Sequence, residues 1–156
     1  MFNYQFVKNN SRFLLFGFIL TFCSSFGQTF FIGIFNPYIR EDLSLSHSEF
    51  GLIYSLATLL SSFSLIWVGK KIDDFKIIYF AITACMFLAF SSFFLTLVTN
   101  IILLFFAIYF LRLSGQGLMT HTASTSMAKF FDLNRGKALS ISWLGLSLGE
   151  GFLPYL

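Results

Sequence analysis

Residues 77–111 read IIYFAITACMFLAFSSFFLTLVTNIILLFFAIYFL, a run of 35 residues without a charged side chain. One helix needs only about 20 such residues to cross the hydrocarbon core of a bilayer, so the run is too long for a single span. Its length suits two helices that fold back on each other around Thr99 and Asn100. The sequence therefore predicts a helical hairpin inside a membrane at this place.

Shorter apolar runs lie on both sides of the hairpin. One extends from Arg12 to Arg40, another from Glu49 to Lys70, and a last run starts at Ala138. The five predicted helices cover residues 13–38, 50–68, 77–98, 101–128 and 138–156. Charged residues make up 11% of the chain, against roughly 25% in soluble domains. We therefore expect an all-α, polytopic bundle of transmembrane helices.

Basic residues are concentrated in three segments of the chain. Eight of the ten are Lys8, Arg12, Lys70, Lys71, Lys76, Lys129, Arg135 and Lys137. Because short loops rich in lysine and arginine stay on the cytoplasmic side, we expect the N-terminus to be cytoplasmic. A cleaved signal peptide within residues 1–27 is the competing interpretation, but the uncharged run continues beyond a typical signal core.

Two charged residues fall inside predicted spans. Arg112 lies about 11 residues into the fourth helix and Glu150 about 12 residues into the fifth, which places both near the membrane midplane. A charge at this depth needs a partner, and two interpretations stay open. The residues form a structural ion pair, or Arg112 binds an anionic group while Glu150 takes up a proton. Neighbouring side chains that could complete such a site are Gln116, Met119, Trp143 and Ser147.

The first predicted helix carries a polar stripe. At 100° per residue its polar side chains project within about 60° of one another. They are Thr21, Ser25, Gln28 and Asn36. Either they form hydrogen bonds with a neighbouring helix, or they line a water-filled cavity and contact a substrate there.

Several other residues are interpreted as packing positions. The small-xxx-small spacing that lets helices approach closely occurs twice, in Gly51 with Ser55 and in Gly145 with Gly149. We expect Cys23, Cys85 and His121 to pack between helices, with a proton relay as the alternative for the histidine. We predict no metal site, no cofactor and no enzymatic activity, because no ligand cluster and no pairing of a nucleophile with a base is visible.

The loop after the second helix, residues 69–76, reads GKKIDDFK. It resembles the signature loop of the major facilitator superfamily, in which Gly is followed after three residues by Asp-Arg. Gly69 and Asp73 match this pattern, whereas Asp74 stands where the family usually has Arg. Either aspartate could also cap the third helix at its N-terminus.

Two further stretches strengthen the resemblance. Residues 112–117 (RLSGQG) look like the family's membrane arginine followed by a Gln and Gly cluster. The order of residues from Ala128 to Pro154, which includes Arg135-Gly136 and Gly149-Glu150, resembles a bacterial subgroup similar to organic-anion and monocarboxylate porters.

The resemblance implies a secondary transporter of the bacterial inner membrane, a symporter or antiporter. Its solute would be small, with an organic anion such as a carboxylate as the specific expectation. Complete members have two six-helix halves around a midplane site, so the chain would supply five helices of the N-terminal half and lack the C-terminal half. Gly69, Asp73 and Arg135 would form a cytoplasmic gate. Partners are the solute and the lipid bilayer, not nucleic acid; a non-transporting remnant or assembly partner is the alternative.

Overall fold

The computed structural model describes residues 4–155, and this range contains helices, turns and no strand. A short helix, Tyr4–Asn9, precedes the first span, Ser11–Asp42. The first span is broken, and it consists of an α-helix Ser11–Ser24, a 3-10 turn Ser25–Gly27 and a second α-helix Thr29–Asp42. The all-α prediction is confirmed.

Three more spans and a C-terminal helix follow. The second span is the α-helix His47–Val68, which the 3-10 turn Gly69–Asp73 continues. The third span is Ile77–Leu95. The fourth, Ile101–Phe130, consists of an α-helix Ile101–Leu111, a π-helical segment Arg112–Met119 and an α-helix Thr120–Phe130. The C-terminal helix is Arg135–Phe152, followed by the 3-10 turn Leu153–Tyr155.

All five predicted helices are present, but two of them are not continuous. The turn between the third and fourth spans lies where the uncharged run of residues 77–111 predicts it, and Asn100 caps the fourth span by accepting a hydrogen bond from the Leu103 amide at 3.0 Å. In the described chain, four helices are long and apolar enough to cross a membrane. The C-terminal helix, with Arg135, Lys137 and Glu150 among its 18 residues, is not one of these four.

The fourth span occupies the centre of the bundle. Buried side chains occur along most of its length, and the most completely buried hydrophobic ones are Leu104, Ala107, Ile108, Met119, Ala123 and Met127. It packs against the first three spans and the C-terminal helix. The second and third spans, in contrast, present long rows of exposed leucine, isoleucine and phenylalanine to the outside of the bundle. Burial of one span among the others therefore gives the bundle its core.

Glycines bring the C-terminal helix close to the first span. A methyl group on Gly145 would overlap the carbonyl oxygen of Phe18, and one on Gly149 would overlap the hydroxyl of Ser25. This close approach confirms the predicted packing role of the pair. The other small pair, Gly51 and Ser55, is exposed, and no atom lies within 4 Å of a methyl group built on Gly51. Its predicted role in packing is wrong within the described chain.

The glycine contact predicts that Gly145→Ala lowers the midpoint of thermal unfolding in detergent by several degrees. The added methyl group forces the C-terminal helix away from the first span, and overpacking of this kind costs about 1–3 kcal/mol. Gly151→Ala in the same helix is the matched control, because nothing lies within 4 Å of the added carbon. Equal midpoints for the two variants would contradict this packing.

Candidate functional site

Arg112 is the first residue of the π-helical segment, and only 5% of its surface is exposed. Its Nη1 donates to the carbonyl oxygen of Gly27 at 3.3 Å and to Oγ1 of Thr29 at 3.1 Å. The guanidinium carbon lies 5.4 Å from the ring centre of Tyr54, within the range of a cation–π contact. We call these four residues the arginine junction.

The arginine junction connects three spans. Tyr54 of the second span donates its hydroxyl to Oγ1 of Thr29 at 2.8 Å, so Thr29 accepts hydrogen bonds from both other spans. Gly27 and Thr29 lie on either side of the break in the first span. The contacts of Arg112 therefore converge on that break.

The break coincides with the closest approach of two backbones. A Cβ atom on Gly27 would overlap the Leu111 carbonyl and the Gly115 backbone, and one on Gly115 would overlap the Gly27 backbone. Gln28 is extended, with φ −86° and ψ 157°, which interrupts the helix at this point. Gly115 lies within the π-helical segment, where the wider turn departs from α-helical spacing. Irregularities in two spans thus meet at one contact.

The ion pair that the sequence suggests for Arg112 is wrong. In residues 4–155, Arg112 contacts no carboxylate, and Glu150 is exposed and forms no ion pair. Instead, the break exposes the Gly27 carbonyl at the C-terminal, partially negative end of a half-helix, and this carbonyl accepts from the arginine. Nε of Arg112 is also buried, but it has no hydrogen-bond partner.

Glu150 is exposed on the C-terminal helix, and the residue before it contacts the first span. Its neighbour Gly149 packs against Ser25, two residues before Gly27. Arg112 bonds to Gly27 itself. Gly149 and Arg112 therefore contact neighbouring residues of the first span, and the similar depth of Arg112 and Glu150 in the membrane stays a prediction.

The other predicted neighbours of Arg112 lie in different environments. Gln116 is exposed, whereas Met119 is fully buried, with its sulfur 3.7 Å from that of Cys85. The shared face of Arg112 and Met119 stays a prediction, and the segment between them is π-helical, with wider turns than the α-helical spacing behind that prediction assumes. Trp143 and Ser147 are exposed on the C-terminal helix, and neither forms a hydrogen bond with Arg112.

The polar stripe of the first span is divided by the break. Thr21 donates to the Ser142 carbonyl and Ser25 lies beneath Gly149, so these two are covered by the C-terminal helix. Beyond the break, Asn36 accepts from Nε of Arg40 at 2.9 Å. Gln28 is half-buried, and its side chain does not cap the helix that follows.

A cluster of ion pairs lies at the end of the bundle where the loop of residues 69–76 and the loop after the fourth span meet. Asp73 bonds to Nζ of Lys129 at 2.7 Å, and Arg135 pairs with Asp132 at 3.5 Å. Asp73 therefore contacts Lys129 and not Arg135.

Two other sequence interpretations concern this end of the bundle. Nε2 of His121 lies 3.1 Å from the Gly69 carbonyl oxygen, which agrees with a hydrogen-bonded packing histidine. The third span begins after Lys76 without a side-chain cap, so the predicted capping by Asp73 or Asp74 is wrong. Asp74 instead pairs with Lys71 at 3.5 Å.

The family model described as "Major Facilitator Superfamily" matches residues 17–156. The chain belongs to the major facilitator superfamily. No curated protein and no solved structure gives a significant match. Membership confirms the predicted superfamily and identifies the chain as an integral membrane protein of a transporter family for small solutes, with its apolar helices in the bilayer.

This major facilitator chain also contains a mostly apolar cavity, which none of the four residues of the arginine junction lines. A cavity of about 450 Å³ lies between the first, third and fourth spans, and Leu111 lines it whereas Arg112 does not. Its walls are mostly aromatic and aliphatic, including Phe26, Phe31, Phe35 and Leu95. Its polar lining consists of Tyr38, Asp42, Ser92 and Thr96, and the guanidinium of Arg112 lies outside it.

Sequence reasoning missed three participants in these sites. Thr29 and Tyr54 are polar residues within apolar runs. Their polarity inside a predicted span was the signal that could have identified them as site residues. Lys129 was counted only as a basic loop residue, although the fourth span continues through it to Phe130.

Cys23 and Cys85 are free thiols, and no group of three possible metal ligands occurs within residues 4–155.

Proposed function

We propose that this major facilitator chain takes part in carrying a small organic anion across the membrane by alternating access, and that Arg112 binds the anion. One observation carries the proposal: a buried arginine in a membrane span has no carboxylate partner, and its Nε has no hydrogen bond. A buried charge and an unpaired donor both cost free energy. A bound anion would supply the missing partner.

The free part of the guanidinium has the geometry that a carboxylate requires. Nη1 makes both hydrogen bonds of the arginine junction, which leaves Nε and Nη2 without protein partners in the described chain. The hydrogens of Nε and Nη2 project from the same edge of the planar group and can bind two carboxylate oxygens together. We infer a planar carboxylate as the substrate group and Gln28, Asn36, Gln116 and Trp143 as candidate contacts.

Glu150 is the candidate proton-coupling residue. It follows Gly149, which packs against Ser25 of the first span, and no basic residue pairs with it in the described chain. A carboxyl group that is protonated during one half of the cycle would couple anion movement to proton movement. This role makes the transporter a proton symporter or an exchanger.

The basic end of the bundle is proposed to be cytoplasmic and to act as the gate. Gly69 is buried against His121, Asp73 pairs with Lys129, and Arg135 lies in the adjoining loop. The Asp73–Lys129 pair joins the loop after the second span to the end of the fourth. We propose that this pair, with Gly69 and Arg135, stabilises one state of the alternating-access cycle.

The chain is proposed to form five helices of the N-terminal half of a transporter in a bacterial inner membrane. The alternative function is a non-transporting remnant or an assembly partner. Transport assays decide between the two, with the protein produced from the complete reading frame and, in parallel, as residues 1–156 alone.

The anion site predicts that Arg112→Ala reduces uptake of radiolabelled carboxylates into proteoliposomes at least tenfold. Arg112→Lys keeps the charge but loses the two-donor edge, so an intermediate rate is expected. Ser114→Ala, a buried change in the same segment, is the control for general effects on packing. Wild-type uptake by Arg112→Ala would refute the site, and a folded wild-type protein that takes up no carboxylate supports the non-transporting alternative.

The coupling role predicts that Glu150→Gln abolishes the stimulation of uptake by an imposed proton gradient. Exchange of labelled for unlabelled substrate should continue, because the anion site is unchanged. Glu49→Gln removes a carboxylate that caps the second span and should leave the gradient response intact. A normal response to the gradient in Glu150→Gln would remove Glu150 from the coupling mechanism.

The gate predicts that Asp73→Lys lowers the transport rate several-fold, because it places two cations together. The double variant Asp73→Lys with Lys129→Asp restores the attraction and should recover most of the rate. Asp74→Lys is the control at the adjacent position. Failure of the double variant to exceed Asp73→Lys would show that the pair does not act through its charges.

A further inference from the structure

A cavity of about 420 Å³ opens at the basic end of the bundle, beside the end of the second span and the last part of the fourth. It is separate from the proposed anion site, because Arg112, Gln116 and Glu150 do not line it. One part of its lining is polar and the other part is apolar. The polar side chains are Ser62, Lys70, Asp73, His121 and Thr125, and the apolar ones are Leu65, Ile66 and Ile72.

Three polar groups of this cavity have no protein partner in residues 4–155. The ammonium group of Lys70 forms no ion pair and no hydrogen bond there, and the hydroxyl of Thr125 forms no hydrogen bond. His121 directs Nε2 to the carbonyl oxygen of Gly69 at 3.1 Å, which leaves its Nδ1 free. A cation, a hydroxyl and a ring nitrogen can therefore bind a ligand from the same cavity.

The charges around the cavity favour an anion. Among the described residues that line it, Asp73 is the one acidic residue, and Lys129 already pairs with its carboxylate at 2.7 Å. Residues 69–76 and 129–137, which meet at this end, contain six lysine and arginine residues against three aspartates. A negatively charged ligand is therefore attracted to this end of the bundle.

The apolar part of the cavity favours a lipid over a free anion. Ile66 lines the cavity and is also the last member of an exposed row on the second span. Because the members recur every three or four positions, they lie on one face of the helix. The other members are Leu52, Leu56, Leu59 and Phe63. An acyl chain can lie along this row while its headgroup occupies the polar part of the cavity.

Two exposed aromatic residues indicate the depth of the polar part. Trp67 is three residues before Lys70, and Tyr79 is three residues after Lys76. Tryptophan and tyrosine are enriched where the hydrocarbon core meets the lipid headgroups. Their positions therefore indicate that the ammonium group of Lys70 lies at the level of the lipid phosphates.

We propose that this cavity binds an anionic phospholipid with a hydroxylated headgroup, of which phosphatidylglycerol is the simplest probe. Its phosphate accepts hydrogen bonds from Lys70 and from the hydroxyl of Thr125, and a headgroup hydroxyl donates to Nδ1 of His121. One acyl chain follows the exposed row of the second span. Basic pockets between membrane helices are suited to such headgroups. The proposal does not depend on which solute the transporter carries.

The test compares Lys70→Gln with Lys71→Gln in the complete protein. Both variants remove one positive charge, but Lys71 does not line the cavity and pairs with Asp74 at 3.5 Å. The measurement is the rise in the midpoint of thermal unfolding as phosphatidylglycerol replaces phosphatidylcholine in mixed micelles. A salt concentration of about 0.5 M screens the charges outside the cavity.

We expect Lys70→Gln to lower the apparent affinity for phosphatidylglycerol about fivefold and Lys71→Gln to change it less than twofold. Equal losses in the two variants would show only a general attraction to the basic end and would overturn the site.

A second pair of variants tests the hydroxyl. Thr125→Val keeps the shape of the side chain but removes the donor, so the affinity for phosphatidylglycerol should fall several-fold. Thr83→Val is the control, because the hydroxyl of Thr83 bonds to the Tyr79 carbonyl outside this cavity. The same affinity in both variants would contradict the assigned contact and, with it, the placement of the phosphate.

Inorganic phosphate distinguishes a lipid from a free anion. It carries the charge of the headgroup without acyl chains, and we expect millimolar concentrations to leave the wild-type midpoint unchanged. If inorganic phosphate stabilises the wild type and Lys70→Gln abolishes the effect, the cavity is a site for free phosphate and the lipid proposal is wrong. Equal midpoints of the wild type in phosphatidylglycerol and phosphatidylcholine would refute the site altogether.

Discussion

The hydrogen bond from Arg112 to the Gly27 carbonyl is the contact around which the bundle is organised. A charged group in the middle of the fourth span is tolerated because the first span is broken opposite to it. The break supplies a free carbonyl, and Thr29 and Tyr54 add a hydroxyl and a ring face. The charge is thus partly compensated by dipoles and not by a second ion. Arg112 therefore has no salt bridge to break, as the anion binding that we propose for it requires.

The positions of the spans could be predicted because the bilayer excludes charge. Runs without charge therefore mark the membrane, and residues 77–111 indicate the hairpin without reference to any neighbour. Glycine spacing likewise placed Gly145 and Gly149 in a helix contact. In contrast, nothing in the local sequence predicts that the helix is interrupted at Gln28. The interruption coincides with the close approach of Gly115, a residue far along the chain.

The sequence predicted only part of the candidate site, because the contacts of Arg112 also depend on residues far away in the chain. Arg112 stands out because an arginine in a span is rare, but its partners depend on the break and on the π-helical segment. Helical spacing placed Met119 beside it, and the structure buries Met119 in the apolar core. At the basic end, the partner of Asp73 depended on how far the fourth span extends. Because that helix continues to Phe130, Lys129 contacts Asp73, whereas Arg135 pairs with Asp132.

The order of residues in the chain also affects when the arginine junction can form during synthesis. Gly27, Thr29 and Tyr54 all precede Arg112 in the chain, so they are already synthesised when the fourth span leaves the ribosome. Because chains are made from the N-terminus, the arginine can enter the membrane against helices that are already inserted. A partner on the C-terminal helix would have arrived only afterwards. Compensation by the first span therefore makes hydrogen-bond acceptors available to Arg112 as soon as the fourth span enters the membrane.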